Sequence, residues 1–240
     1  MAIVRFFTKS QSKEDYQMFN PALLEQPSDM AQATFVVDDI MKDILSLAAY
    51  VCNMPTYYQK GSGKLLKAEN ISNQITKKLA LLKKYLKRIS FYTLSVNENH
   101  DIEKILQSTD ELSMITYHLT HIAKVSKSLS KQKSPLSLTA QREFDELWER
   151  IALILRTLED AFLKSNSITS MWMLRQHTIV QEHIKDTKKN HIKRLRCGTC
   201  HVETGMYFLD LLNDCEQISS HCTALFQEAY IMDHLEERKG

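Results

Sequence analysis

HIKRLRCGTCHVETGMYFLDLLNDCEQISSHC, residues 191–222, decides the fold. A basic segment with the look of a helix end, His191 to Arg196, meets a Cys-Gly-Thr-Cys break, and a second long helix begins at once. In that helix Phe208, Leu211, Cys215, Ile218, Cys222, Leu225, Ala229 and Met232 recur at alternating steps of three and four. That spacing puts them on one stripe and predicts a helix buried along one seam. Glu216, Gln217, Ser219, Ser220 and His221 occupy its middle turns.

Working outward, a weaker copy of this stretch lies about a hundred residues earlier. Tyr85-Leu-Lys-Arg-Ile-Ser90 parallels His191-Ile-Lys-Arg-Leu-Arg196, and Asp110-Glu-Leu-Ser-Met-Ile-Thr-Tyr-His118 parallels Asn213-Asp-Cys-Glu-Gln-Ile-Ser-Ser-His221. Ile115 matches Ile218 and His118 matches His221. Self-similarity in this order indicates a duplicated supersecondary unit. The remaining helices follow from the same periodicity. The first carries Met30, Ala33, Val37, Ile40, Ile44, Leu47, Val51 and Met54; it starts near Ser28-Asp29, after Pro27, and stops before Pro55. The Gly61-Ser-Gly63 turn leads to a second helix with Ile71, Ile75, Leu79, Leu82, Leu86 and Ile89. A polar break at Asn97–His100 precedes a third with Ile102, Ile105, Leu112, Leu119 and Ile122. Lys131–Leu138, containing Pro135, reads as the linker. Phe144, Leu147, Ile151, Ile154 and Leu158 mark a fourth helix, and a fifth runs from about Ile168 to Arg196.

Short connections make successive helices antiparallel neighbours. The expectation is an all-α chain of six long helices in two tandem antiparallel three-helix bundles. Residues 1–20 form a lead-in, 21–131 the first bundle, 132–138 the linker and 139–236 the second bundle.

Composition agrees. The 240 residues suffice for a substantial core, and Gly (5) and Pro (4) are too scarce to interrupt long helices. A formal net charge of +2 argues against nucleic acid as a partner. The basic run Lys77–Arg88 alternates with apolar residues and reads as a solvated helix face. No apolar run reaches the roughly 18–20 residues of a membrane span. Residues Met1–Phe7 are too short for the apolar region of a signal peptide, so the expected location is cytoplasmic. Five cysteines, an odd number, do not suit a secreted disulfide framework.

Several constellations bear on chemistry. Cys197-Gly-Thr-Cys200-His201 has metal or redox spacing, but a structural zinc needs four ligands and no second Cys-x-x-Cys exists. Cys222 lies about 30 Å farther along the helix at the standard rise. Cys215 and Cys222 fall on the seam as small core residues, so the break reads as a tight turn in which Gly198 relieves the backbone. Polar residues four apart share a helix face and could meet a metal held by a facing helix. The pairs are Glu69 and Asn73, Ser113 and Tyr117, His177 and Gln181, and Glu216 and Ser220 with His221 adjacent. Each has at most one strong ligand. Glu69, His177, Glu216 and His221 are the candidate metal set if they converge; the competing reading places them at the border of the seam, hydrogen-bonded or solvated. Asp38, Asp39 and Asp43 flank the first seam and read as a solvated face. Lys193, Arg194 and Arg196 complement the dipole at a helix end, with an anion site as the alternative. Gly-rich phosphate loops, Gly-x-Ser-x-Gly and His-Glu-x-x-His are all missing, and nothing pairs a nucleophile with a base, so a catalytic role is not expected.

The tail resembles the PhoU domain, in the version fused to bacterial sodium/phosphate cotransporters. There a helix ending in His-Ile-x-Arg-Leu is followed by x-x-Gly-x-Cys, a Gly, an apolar run with Leu-Asp-Leu-Leu, and Leu-Glu-Arg-Ile-x-Asp-His. Here stand His191-Ile192-Lys-Arg194-Leu195, Gly198-x-Cys200, Gly205, Phe208-Leu-Asp-Leu-Leu212 and Cys215-Glu-Gln-Ile218-Ser-Ser-His221. Phe19-Asn-Pro-Ala-Leu-Leu24-x-x-Pro27 resembles the family segment leading from the membrane part into the PhoU tail. The resemblance covers roughly residues 19–230. It implies two three-helix bundles and regulation of phosphate uptake rather than catalysis. The implied partner is the membrane domain of a phosphate transporter or a phosphate-sensing protein, reached at the inner face of the membrane, with an oligomer compatible. If the chain is such a tail, Ile3-Val-Arg-Phe-Phe7 lies near the membrane. Family members hold divalent or iron-type metal clusters with Glu-x-x-x-Asp motifs on paired helices. This chain departs from that motif at all four positions, keeping the first acid only at Glu69 and Glu216. The family histidine is matched by His118 and His221.

Overall fold

A computed structural model of the chain describes residues 30–52, 63–89, 96–132, 136–164 and 170–228. They form six helices: α1 (Met30–Cys52), α2 (Gly63–Ile89), α3 (Val96–Ser130), α4 (Leu138–Lys164), α5 (Ser170–Arg196) and α6 (Val202–Glu228). None of the four prolines (21, 27, 55 and 135) falls within these six helices, whose interiors a missing N–H would interrupt. The lead-in through Pro27, and the seam residues Ala229 and Met232, lie outside the described residues.

Helices α1, α2 and α3 pack on one another, as do α4, α5 and α6. The two trios meet mainly along α3 and α6, with α1 also touching α4. The result is two three-helix bundles side by side, all-α throughout the described residues. The core lies where the seams converge. Ile105, Leu112, Ile115, Leu119 and Ile122 of α3, and Phe208, Leu211, Cys215, Ile218, Cys222 and Leu225 of α6, are fully buried. At 35 residues, α3 extends about 50 Å, long enough to meet α1 and α2 on one side and α6 on the other. Two of its buried hydroxyls bond back into their own helix: Thr116 donates to the Leu112 carbonyl at 2.8 Å and Thr120 to the Thr116 carbonyl at 2.7 Å, whereas the buried Ser126 Oγ makes no hydrogen bond. On α6, Thr223 donates to the Ser219 carbonyl at 2.8 Å. Back-bonding of this kind lets a hydroxyl sit in a core without an unmet donor.

Two ends are capped as their residues dictate. Ser137 caps α4: its Oγ accepts from the Ala140 N–H at 3.2 Å and its carbonyl from the Gln141 N–H at 3.0 Å. Gly198, at φ 66°, ends α5. The Thr199 N–H donates to the Arg194 carbonyl and the Gly198 N–H to the Leu195 carbonyl, the two bonds of a Schellman motif. The Cys-Gly-Thr-Cys break is thus the tight turn its glycine implied.

Two expectations are corrected. Asn97–His100 is not a break; it forms the first turn of α3, where Asn99 and His100 are exposed. A first helical turn leaves its N–H groups unpaired and tolerates polar residues facing water. Asp39 and Asp43 do not form a solvated face. Asp39 is buried, and the Lys78 ammonium of α2 donates to it at 2.6 Å and to Asp43 at 2.7 Å. A one-helix reading cannot see a cation on the neighbouring helix. Burial raises the Asp43 pKa more than Lys78 lowers it, while for Lys78 the two carboxylate bonds outweigh burial and lift it. The triad therefore sets the register of α1 on α2 more than it adds stability.

Replacing only the cation tests this. Lys78→Met leaves two partly buried carboxylates unpaired and should cost about 2 kcal/mol in urea unfolding. The triple variant Lys78→Met/Asp39→Asn/Asp43→Asn should recover most of that loss; equal losses in both would contradict the assignment.

Candidate functional site

The internal repeat places Glu111 opposite Asp214 as well as His118 opposite His221, and the fold brings all four together across the α3–α6 seam. His118 Nδ1 lies 2.9 Å from Asp214 Oδ1, and His221 Nδ1 lies 2.7 Å from Glu111 Oε2. Each histidine sits seven residues after a carboxylate on its own helix, yet it bonds the carboxylate of the other helix. The two contacts are mirror images, and the two imidazoles stack between them with centroids 5.7 Å apart and planes 23° from parallel. His121 adds a third contact, Nδ1 to Asp214 Oδ2 at 2.7 Å. Exposed Tyr117 lies edge-on to His118 and parallel to His121, at centroid distances of 5.1 and 6.2 Å, so the cluster reaches the surface beside it.

A carboxylate can only accept, so the Nδ1 atoms of His118, His121 and His221 carry the protons and donate. The Nε2 atoms of His118 and His221 are buried and make no protein hydrogen bond. Carboxylates at Nδ1 fix the tautomer and orient the ring, leaving each Nε2 lone pair to accept from a donor. Asp214, with a side chain 7% exposed, serves two imidazoles; Glu111, at 26%, serves one.

The four residues marked for a metal do not converge. Glu69 is on α2, which packs chiefly on α1 and α3, whereas His177 is on α5, against α4 and α6. His177 Nδ1 is 3.0 Å from Ser219 Oγ, Glu216 accepts from Lys188 at 3.3 Å, and His221 is held by Glu111. Asn73, Tyr117, Gln181 and Ser220, the second members of the pairs, are all exposed. Among the described residues no three His, Cys, Asp or Glu side chains are grouped to hold a metal ion. The donor set does not fit a carboxylate-bridged cluster, because neutral side chains stand where bridging acids would have to be.

The cysteines on the seam are core residues: burial pushes the thiols of Cys215 and Cys222 up, which keeps them protonated and unreactive. Arg194 does more than complement a dipole. Its guanidinium donates to both Glu143 oxygens, at 2.9 and 2.6 Å, pinning the end of α5 to α4. Along the rest of α5, Lys185, Lys188, Lys189, Lys193 and Arg196, with Ile184 and Ile192, line an open cleft of about 580 Å³ whose acidic wall is Glu216.

Sequence reasoning found His118 and His221 but missed Glu111, Asp214 and His121. The signal was present: an acid seven residues before the matched histidine occurs in both copies of the repeat.

No family model matches the chain, and no curated protein matches it. The crystal structure of PhoU from Pseudomonas aeruginosa does, with a TM-score of 0.67 at 14% identity, over 85% of this chain and 98% of that one. The likeness shows a PhoU-like fold. None of the described helices is long and apolar enough to cross a membrane.

Because Asp214 is the more buried acid and serves two rings, Asp214→Asn should destabilise the fold more than Glu111→Gln. Double-mutant cycles pairing Asp214 with His118 and Glu111 with His221 should each give a coupling of ~1–2 kcal/mol; couplings near zero would show that the crossed pairs do not hold the seam.

The pH dependence has a definite sign. Burial lowers the pKa of His177, with Glu216 opposing, and of His191, with Arg194 adding to the effect. A depressed folded value means that the stability these rings contribute is complete above the usual histidine value of about 6.5 and is lost as pH falls through the folded values. Thermal melts should therefore shift downward from pH 7.5 to pH 5, and the shift should shrink in His191→Phe.

Proposed function

We propose that this chain is a PhoU-like regulatory domain that modulates phosphate transport by docking helical surfaces against a membrane transporter or a phosphate-sensing protein, and that it is not an enzyme. The observation that carries the reading is the coincidence of two likenesses. The helical arrangement follows that of PhoU from Pseudomonas aeruginosa over 85% of this chain and 98% of that one, and the residues that resemble the cotransporter-fused version cluster at the α5–α6 junction and along α6.

The surfaces suit such a role. The α5 cleft offers four lysines and an arginine beside two isoleucines, a face for an acidic and partly apolar partner surface. Helix α5 leans on α6 through His177–Ser219 and Lys188–Glu216, and α6 meets α3 through the crossed histidine–carboxylate pairs. A partner seated on α5 therefore bears on the packing of one bundle against the other, and that packing is the two-state element of the proposal. As the soluble tail of a sodium/phosphate cotransporter the chain would act at the inner face of the membrane; the alternative is a standalone cytoplasmic protein.

Two measurements test the reading. Deletion of residues 30–228 in the host should change phosphate uptake, and Lys185→Glu/Lys189→Glu/Lys193→Glu should reproduce the change in a protein of unaltered helicity. Affinity capture should recover a transporter or sensor component in amounts that differ between phosphate-replete and phosphate-starved cells. Unchanged uptake on deletion would remove the phosphate role.

A further inference from the structure

A second cavity, about 440 Å³, lies away from the α3–α6 seam and from the α5 cleft, between the start of α4 and the α5–α6 turn. Two helix N-termini face it: that of α4 through Leu136, Ser137 and Leu138, and that of α6 through His201, Thr204 and Gly205. Of the first-turn residues whose N–H groups have no carbonyl of their own helix within reach, Leu138 of α4 and Thr204 of α6 line the cavity, with Thr139, Val202 and Glu203 adjacent in sequence. The opposing negative end of α5 is muted, because the Lys193, Arg194 and Leu195 carbonyls accept from Cys197, Thr199 and Gly198 in the turn.

A buried side chain points to a ligand independently. His191 is 1% exposed and lines this cavity, yet neither of its ring nitrogens makes a hydrogen bond in the protein. Gly205 leaves room for the ring; a Cβ there would stand 2.7 Å from His191 Nε2. The Gly205 backbone is near enough to draw on the ring's proton, but it makes no aligned hydrogen bond. A buried imidazole without a partner is costly, so a polar guest that supplies one is favoured. Ser137 sits beside it with a hydroxyl whose proton is not used by the cap, since its Oγ accepts from Ala140.

The sign of the guest's charge follows from the walls. No Asp or Glu lines the cavity. The half-buried Glu143 of α4 is fully engaged by Arg194, and Glu203 of the α6 first turn is exposed. Two positive helix ends, a hydroxyl and an unpartnered imidazole facing an acid-free cavity suit an anion with several acceptor oxygens. We propose that this cavity binds a small oxyanion of the phosphate class, held by the first-turn amides of α4 and α6 with His191 as a further donor. The inference does not depend on the regulatory reading: it rests on this cavity alone, and it survives if deletion leaves phosphate uptake unchanged.

The test is a titration of the ¹⁵N-labelled chain with sodium phosphate, against sodium chloride at matched ionic strength, read by NMR. Saturable shifts are expected at the amides of Leu138, Thr139, Val202, Glu203 and Thr204 and at the His191 ring nitrogens, with chloride giving none. His191→Phe, which keeps the ring volume and removes the donor, should weaken phosphate binding about tenfold at unchanged helicity. A parallel titration with glycerol 3-phosphate separates the sources: binding as tight as phosphate assigns the site to phosphate esters, and no binding narrows it to the free ion. Shifts that rise linearly and are matched by chloride would overturn the proposal, as would unmoved His191 ring nitrogens in the wild-type chain. The wild-type signals give that answer even if the variant does not fold.

Discussion

The antiparallel seam between α3 and α6 is the constraint on which the rest of the molecule depends. Its centre is polar. Asp214 is drawn out of water and Glu111 partly so, and each receives a hydrogen-bond donor from the opposite helix. Such groups are costly when unpaired and near neutral when paired, so they penalise every register but one. A slide of α6 by one turn along α3 would carry His221 away from Glu111 and His118 away from Asp214 together. The apolar residues around them, Ile115 and Ile218 among them, supply the burial energy but would tolerate neighbouring registers more readily. Apolar packing accounts for cohesion here, and the crossed pairs account for alignment.

This arrangement also explains why the chain is a duplication that works as one unit. Each half carries one acid and one histidine at a seven-residue spacing, and neither is satisfied within its own helix. A half on its own would expose the apolar faces of α3 or α6 and leave both polar groups without partners. The outer helices are then positioned by smaller locks. Lys78 ties α2 to α1, Arg194 ties α5 to α4, and His177 and Lys188 tie α5 to α6.

What was legible in the sequence divides along the same physical line. The seams were readable because burial of a stripe is a property of one helix at a time, and Phe208, Leu211, Cys215 and Ile218 announce it by spacing alone. The Schellman turn was readable for the same reason, as Gly198 has a local conformational role. The partners of Asp39, Glu111 and Asp214 were not, because a charge is explained by what stands across the interface. Single-helix reasoning sent Asp39 and Asp43 to solvent when Lys78 was waiting 39 and 35 residues downstream. It also assembled Glu69, His177, Glu216 and His221 into one set, when two bundles keep the first of them on the far side of α3. The repeat could have corrected part of this. A position occupied by an acid in both copies, at constant distance from a matched histidine, asks for a partner that both copies can provide.

Helix α6 is where these separate observations join. Its first turn borders the cavity beside His191, its middle carries Asp214 and Ser219, and Glu216 faces the α5 cleft. An anion that gathers the first turns of α4 and α6 would draw their ends together, and a partner on the lysines of α5 would compete with Glu216 for Lys188. Both act on one rigid rod whose other face is the polar seam. Because that seam admits one register well and its neighbours poorly, a small displacement of α6 is resisted until the crossed pairs give way together. On the proposals above, the chain would have the mechanical elements of a switch: two surfaces to be occupied, one helix that both touch, and an interface with one well-satisfied register.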